Sequence, residues 1–187
     1  TGVSADVVDD LVRLAPPMAD RTSLVHNGAS LPLAAVTPVP DDPPQLACIG
    51  RLIEQKGFDR AIDAFATLAP RHPALRLTIA GRGPEEAALR TRARDLGVAD
   101  RIDFVGMLDR DGVAGLLQRT TAVVMPSRFE GLPIVALEAA LAGRAVIATR
   151  TGGLVHAVAD GESALVVEPD VDALAGAMER IVTDPAL

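Results

Sequence analysis

Tryptophan and tyrosine are absent from this chain and phenylalanine occurs only four times, so aromatic platforms on which bases or sugar rings could stack are scarce. The one cysteine, Cys48, stands inside an apolar run. It excludes an internal disulfide and any cysteine-based zinc site, and reads as core filler. The three histidines, His26, His72 and His156, lie far apart without ligand spacing, so no metal centre is expected. No apolar run approaches the ~18 residues of a membrane span, and no segment resembles a signal peptide. Positive charge is also in deficit: 25 acids stand against 18 bases, a net charge of −7. That balance argues against nucleic acid or an anionic membrane as the main partner, and any bound phosphate must be met by local cations.

What the chain does have is apolar bulk. With 187 residues, 49% of them hydrophobic, it can bury a full core as one domain. From residue 45 onward, short apolar runs at 46–49, 75–80, 102–105, 122–125, 145–149 and 164–167 alternate with segments of helical period at 58–68, 85–96, 112–118, 133–142 and 171–182. Strict alternation of apolar strands with helices predicts an α/β domain, a doubly wound, Rossmann-like parallel sheet covered on both faces, with ligands met at the carboxyl ends of its strands. A leading helix at 5–14 and a strand at 23–26 are expected before it, and the Pro-rich stretch 37–44 reads as a surface connection.

The most informative loop follows the fourth strand. Glu130 and Glu138 bracket Gly131, Leu132, Pro133, Ile134, Val135, Ala136 and Leu137. The glycine lets the backbone approach a ligand, Pro133 suits the first helical position, and the free amides of 131–134 can face an anion. The helical neighbours of Glu138 are Ile134, Val135, Leu141 and Ala142. A carboxylate in such a setting needs an internal Arg or a polar ligand. An unbroken helix would separate the two acids by about 12 Å along its axis, too far to share a proton or a metal. Glu130 has a plainer reading too, an acid before a helix N-terminus that favours the dipole.

Other strand-end loops carry cations and glycines. Gly50, Arg51, Lys56 and Gly57 follow the first strand, and Gly81, Arg82, Gly83 and Pro84 the second. Arg can fork onto two phosphate oxygens while Lys supplies a mobile point charge; each of these cations can equally be a solvated surface group. After the third strand, Asp109 and Asp111 spell Asp-x-Asp, a pattern that holds metal in some sugar-transferring enzymes, but Asp111 is better explained as a helix N-cap. Thr149 to Gly153 form a further turn on the same side. Arg51 and Lys56 could neutralise a diphosphate while Glu130 and Glu138 accept from hydroxyl groups, and a ligand with both features is a nucleotide sugar. The spacing expected for NAD and a nucleophile elbow around Ser127 are both missing.

These residues resemble the C-terminal domain of GT-B-fold retaining glycosyltransferases, specifically glycosyltransferase family 4. The likeness rests on Asn27-Gly28, Gly50-Arg51-Leu52 with Lys56-Gly57, Ala80 to Pro84, Phe104-Val105-Gly106, Pro126-Ser127, Glu130 to Glu138, and Gly152-Gly153. It departs from the family at Val155, His156 and Ala164. The resemblance implies that Arg51 and Lys56 bind the donor diphosphate, Glu130 contacts the transferred sugar and Glu138 the ribose hydroxyls. It implies further that the backbone from Gly131 through Leu132, Pro133, Ile134 and Val135 meets sugar and phosphates, with Gly50 and Gly81 lining the donor site and Met107 and Leu108 holding the base. No cofactor and no metal are implied. Residues 1–187 would then be one nucleotide-sugar-binding domain, 1–44 its link and leading elements and 45–187 its main unit, half of a GT-B pair whose N-terminal acceptor domain is absent. A cytoplasmic enzyme, peripheral to the membrane through that absent domain, is the corresponding expectation. Two other readings stand beside it, a nucleotide-sugar-binding module without turnover and a GT-B-like sugar epimerase.

Overall fold

The computed structural model describes residues 1–40 and 43–184. Its centre is a six-stranded, all-parallel sheet in the order β3-β2-β1-β4-β5-β6, from β1 (Gln45–Ile49), β2 (Arg76–Ala80), β3 (Ile102–Gly106), β4 (Ala122–Met125), β5 (Ala145–Thr149) and β6 (Ala164–Val167). The helices α2 (Phe58–Leu68), α3 (Glu86–Asp95), α4 (Arg110–Gln118), α5 (Ile134–Leu141) and α6 (Val171–Thr183) connect or follow them. The doubly wound Rossmann-like architecture is thus as expected.

Side-chain alternation explains why the strands are apolar throughout. Leu46 and Cys48 of β1 enter a core with Phe65 and Leu68 of α2, Leu89 and Ala93 of α3, and Leu174 and Met178 of α6. Ala47, between them, faces Leu116 of α4. Along β4, Val124 joins the first core, whereas Val123 and Met125 pack with Ala136 and Ala139 of α5. The Cys48 thiol is fully enclosed, and burial pushes its pKa well up. Edge strand β3 departs from this pattern: Ile102 is buried but Asp103 and Val105 are exposed, because only one face is covered.

Several boundaries differ from the sequence reading. No strand forms over 23–26; only an isolated bridge joins Gly2 to Leu24, and Leu24 and Val25 remain exposed, with no core face to reward a longer ladder. Helix α4 begins earlier than expected, so its N-cap is Asp109, whose side chain accepts from the Gly112 N–H at 2.8 Å, and Asp111 lies in the first turn. Pro133 is the N-cap of α5, with φ −73° and ψ 125°, and not its first helical residue. Glu130 therefore precedes the helix, and no unbroken helix joins it to Glu138. Part of the expected connection 37–44, at 41 and 42, lies outside the described residues, as do 185–187.

The leading helix α1 (Ala5–Leu14) does form, capped by Ser4. Residues 27–33 have no regular structure, yet Leu31 and Leu33 pack into the core beneath α5. Among the described residues, no helix is long and apolar enough to cross a membrane.

Candidate functional site

In the order β3-β2-β1-β4-β5-β6 the direction of winding reverses between β1 and β4, and their carboxyl ends open a crevice there. The loops around it are stitched edge to edge. Gly50 N–H donates to Ala80 O at 2.9 Å, Leu52 N–H to Arg82 O at 3.0 Å, and Gly81 N–H to Gly106 O at 2.7 Å. The approach is close enough to demand glycine at 81: with φ +145°, an added Cβ would lie 1.8 Å from Gly50 O. A cavity of about 230 Å³ results, lined among others by Gly50, Arg51, Gly81, Arg82, Met107 and Leu108. Six of the residues singled out in the sequence thus share one wall. Arg51 is exposed, and its guanidinium makes no hydrogen bond or ion pair among the described residues.

Across the crevice, Lys56 Nζ meets Glu130 Oε1 at 2.5 Å. The lysine stem runs beside Gly50, where a Cβ would stand 3.6 Å from Lys56 Cε. Glu130 is only 5% exposed, and its Oε1 also accepts from Ser127 Oγ at 2.7 Å. Thr149 Oγ1 in turn donates to Ser127 O at 2.6 Å. The carboxylate is therefore buried, charge-compensated and oriented by a hydroxyl on its own loop. Plain dipole stabilisation does not account for it, since burying an ionised acid without such partners is strongly unfavourable.

A second set of contacts fixes the two loops relative to each other. Arg128 N–H donates to Gln55 O at 2.8 Å and Gln55 Nε2 to Phe129 O at 3.0 Å. The Arg128 guanidinium forks onto Asp59 at 2.9 and 2.7 Å and reaches Glu54 O at 2.7 Å. Its hydrogen bonds hold the Asp59 carboxyl below the usual carboxylate range.

At the start of α5, the N–H groups of Gly131, Leu132, Ile134 and Val135 have no acceptor among the described residues. They precede or open a helix whose dipole favours negative charge. Leu132 O accepts from Asn27 Nδ2 at 2.6 Å. Farther along, Glu138 is half-buried, and its carboxyl has no hydrogen bond or ion pair among the described residues. Desolvation raises its pKa, and the charge of Arg110 opposes the rise. Arg110 is tethered by Nη2 to Ser30 O at 2.6 Å and Ser30 Oγ at 2.5 Å. Arg110 is exposed and acts on Glu138 only as a longer-range charge, so it is not the internal Arg that one reading of Glu138 called for.

The structure brings Lys56 to Glu130 and Arg51 to Met107 and Leu108. Glu138 stands apart, on α5. Ser127, Asn27, Ser30 and Arg110 were not foreseen in these roles. Of these, Asn27 and Ser127 carried a signal, as parts of Asn27-Gly28 and Pro126-Ser127, whereas Ser30 and Arg110 carried none. Among the described residues no His/Cys/Asp/Glu cluster could hold a metal ion, and Asp109 is taken up by its capping bond.

The family description "Glycosyl transferases group 1" matches residues 33–187. The chain is 38% identical to glycogen synthase of Mycobacterium tuberculosis over 98% of its own length and 45% of that protein's. It is 36% identical to D-inositol 3-phosphate glycosyltransferase of Acidothermus cellulolyticus, over 95% of the chain and 42% of the relative. The chain therefore spans less than half the length of these curated relatives. Among solved structures, sucrose-phosphate synthase from Thermosynechococcus elongatus superposes with a TM-score of 0.83 at 30% identity, covering 99% of this chain and 49% of that one. Anabaena HepE in complex with UDP-glucose superposes with a TM-score of 0.87 over 99% of this chain and 54% of that one, at 22% identity, a likeness of fold alone. These neighbours are GT-B glycosyltransferases.

Proposed function

Since the chain belongs to the glycosyl transferases group 1 family, we propose that it is the donor-binding domain of a retaining family 4 glycosyltransferase, which moves a sugar from a nucleotide diphosphate sugar to an acceptor without a metal ion. The observation that carries the proposal is the Lys56–Glu130 contact across the β1/β4 crevice, beside the cavity lined by Gly50, Arg51, Gly81, Met107 and Leu108. A diphosphate sugar has an anionic middle and hydroxyl-rich ends, and cations, free amides and carboxylates occur here in that complementary mixture.

In this reading the base lies against the backbone at Met107 and Leu108, and the ribose hydroxyls donate to Glu138. The diphosphate is held by Arg51, Lys56 and the amides of Gly131, Leu132, Ile134 and Val135. When the bond from the sugar's anomeric carbon to the diphosphate breaks, the electron pair leaves with the phosphate oxygen. Arg51, Lys56 and the amides stabilise that charge, the task a metal performs elsewhere. The acceptor hydroxyl oxygen attacks the same face while its proton passes to the departing phosphate oxygen, and configuration is kept. Glu130 orients the sugar through its hydroxyls and is not assigned as a nucleophile. Pro133 sets the chain direction into α5. An N-terminal domain of the whole enzyme completes the cleft and supplies the acceptor site.

Calorimetric titration with UDP, GDP and ADP, with and without magnesium, tests this. Saturable binding of one nucleotide, indifferent to magnesium and weakened about tenfold or more by Lys56→Ala, is the expected result. Absence of binding by all three, or affinity untouched by both Lys56→Ala and Glu138→Ala, would overturn it. Retention itself is checked by the anomeric configuration of the product formed by the intact enzyme.

A further inference from the structure

Asn27 has no part in the proposed donor chemistry, yet it makes a long-range side-chain hydrogen bond to the turn that opens α5. Its Nδ2 donates to Leu132 O at 2.6 Å, across 105 residues of chain. That carbonyl has unusual leverage. Its peptide partner is the nitrogen of Pro133, which has no N–H, so the carbonyl is the only polar group on that peptide plane. The helix does not use it, because the Ala136 N–H donates to Pro133 O at 3.2 Å. No other described residue donates to it. The rotation of the plane is therefore set by Asn27. Pro133, locked at φ −73°, passes that rotation directly into the first turn of α5.

Asn27 is also a fixed point. The segment that carries it has no helix or strand, but Leu31 and Leu33 are packed in the core and Ser30 holds the side chain of Arg110 at the start of α4. On its other side the same turn is held by Gly153 N–H donating to Glu130 O at 3.1 Å. The backbone between Glu130 and Ile134 is thus gripped from two directions, with its amides left open.

We propose that Asn27 is a positioning residue for the donor diphosphate: by holding Leu132 O it aims the N–H groups of Gly131, Leu132, Ile134 and Val135 at the phosphates. The inference rests on the donor-site reading and deepens it. It places a determinant of phosphate affinity in the leading segment, outside the strand-end loops of the sheet.

The test compares the intact protein with Asn27→Ala, which removes the donor without adding charge, and with Asn27→Asp, which keeps the shape but replaces the donor by a negative charge. Each is titrated with the nucleoside diphosphate that the wild type prefers and with the matching unphosphorylated nucleoside, and the thermal midpoint is recorded. Affinity for the diphosphate should fall about tenfold, with nucleoside affinity and thermal midpoint unchanged. In turnover, KM for the nucleotide sugar should rise more than kcat falls. Equal weakening of both ligands, a loss that only follows a lowered midpoint, or no change would overturn the proposal. If Asn27→Asp does not fold, the Ile134 and Val135 amide resonances of Asn27→Ala decide: unshifted resonances overturn the proposal, displaced ones uphold it. If the wild type itself binds no nucleoside diphosphate, the donor-site reading fails. Wild-type binding with indifferent variants removes only the role of Asn27.

Discussion

The carbonyl oxygen of Pro126 occupies the space that a side chain at position 57 would need: a Cβ added to Gly57 would stand 2.1 Å from it. Gly57 also has φ +65° and links the short turn carrying Lys56 to α2. Both its conformation and its clearance exclude other residues. Gly57→Ala should therefore push the β1 and β4 loops apart and pull Lys56 away from Glu130. We expect a loss of about 2–4 kcal/mol in denaturant unfolding. Nucleotide affinity should fall further than it does for a surface Gly→Ala change such as Gly97→Ala, where the added Cβ meets open space.

The Lys56–Glu130 pair should behave as one unit. Side-chain exposure is 19% for Lys56 and 6% for Glu130, so removing the lysine strands a buried carboxylate with only Ser127 beside it. Lys56→Met is expected to cost about 3–5 kcal/mol, Glu130→Gln less, and the double variant clearly less than the sum of the two. A double-mutant cycle on unfolding free energies measures this. Strictly additive losses would mean that the contact contributes nothing in solution.

How much of this was legible in the sequence follows the range of each interaction. Short apolar runs marked every strand of the sheet and a helical period marked helices α2 to α6, because a residue such as Leu46, Phe65 or Met178 must be apolar to enter the core whichever distant element it meets there. Strand 23–26 failed for the same reason in reverse: Leu24 and Val25 are apolar but have no sheet to join. The helix starts were misplaced because Asp109 and Asp111 are equally good caps by type, and only the bond to Gly112 N–H distinguishes them. At the site, Gly50, Arg51, Lys56 and Glu130 could be marked by chemistry and loop position. Their mutual geometry could not, since Lys56 and Glu130 are 74 residues apart. Asn27 and Ser30 lie in a stretch with no periodic pattern, so nothing local reveals that they reach α5 and α4.

At the opposite end of the strands, Arg144 offers a control for fold without site. It is 3% exposed and donates to Leu117 O at 2.8 Å, Thr37 O at 3.0 Å and Thr37 Oγ1 at 2.6 Å, with no carboxylate partner among the described residues. Burial lowers its pKa, and the carbonyls at the C-terminal end of α4 partly compensate its charge. Arg144→Met retains the stem and removes the donors, leaving Leu117 O with the Thr120 N–H alone and Thr37 O without a donor among the described residues. A loss of about 2–3 kcal/mol in unfolding free energy is expected, with nucleotide affinity of the folded protein unchanged. A drop in affinity would tie this edge of the sheet to the site.

Glu138 gives a pH signature with a defined sign. Desolvation raises its pKa in the folded protein, so over the range above the ordinary glutamate value the folded state keeps a proton that the unfolded chain has lost. Stability conferred through this group is therefore full at acid pH, falls as pH rises through the folded pKa, and levels off above it. Glu138→Gln removes that dependence: the variant should match the wild type at acid pH and gain on it as pH rises. Nucleotide binding should run the other way, because an ionised carboxylate is the stronger acceptor for ribose hydroxyls. The affinity ratio of wild type to Glu138→Gln should therefore increase over the same pH range. Taking the ratio at each pH cancels the titration of the ligand's own phosphates. A ratio that stays flat while the stability difference still changes would leave Glu138 as a desolvated helix residue and remove it from the ribose site.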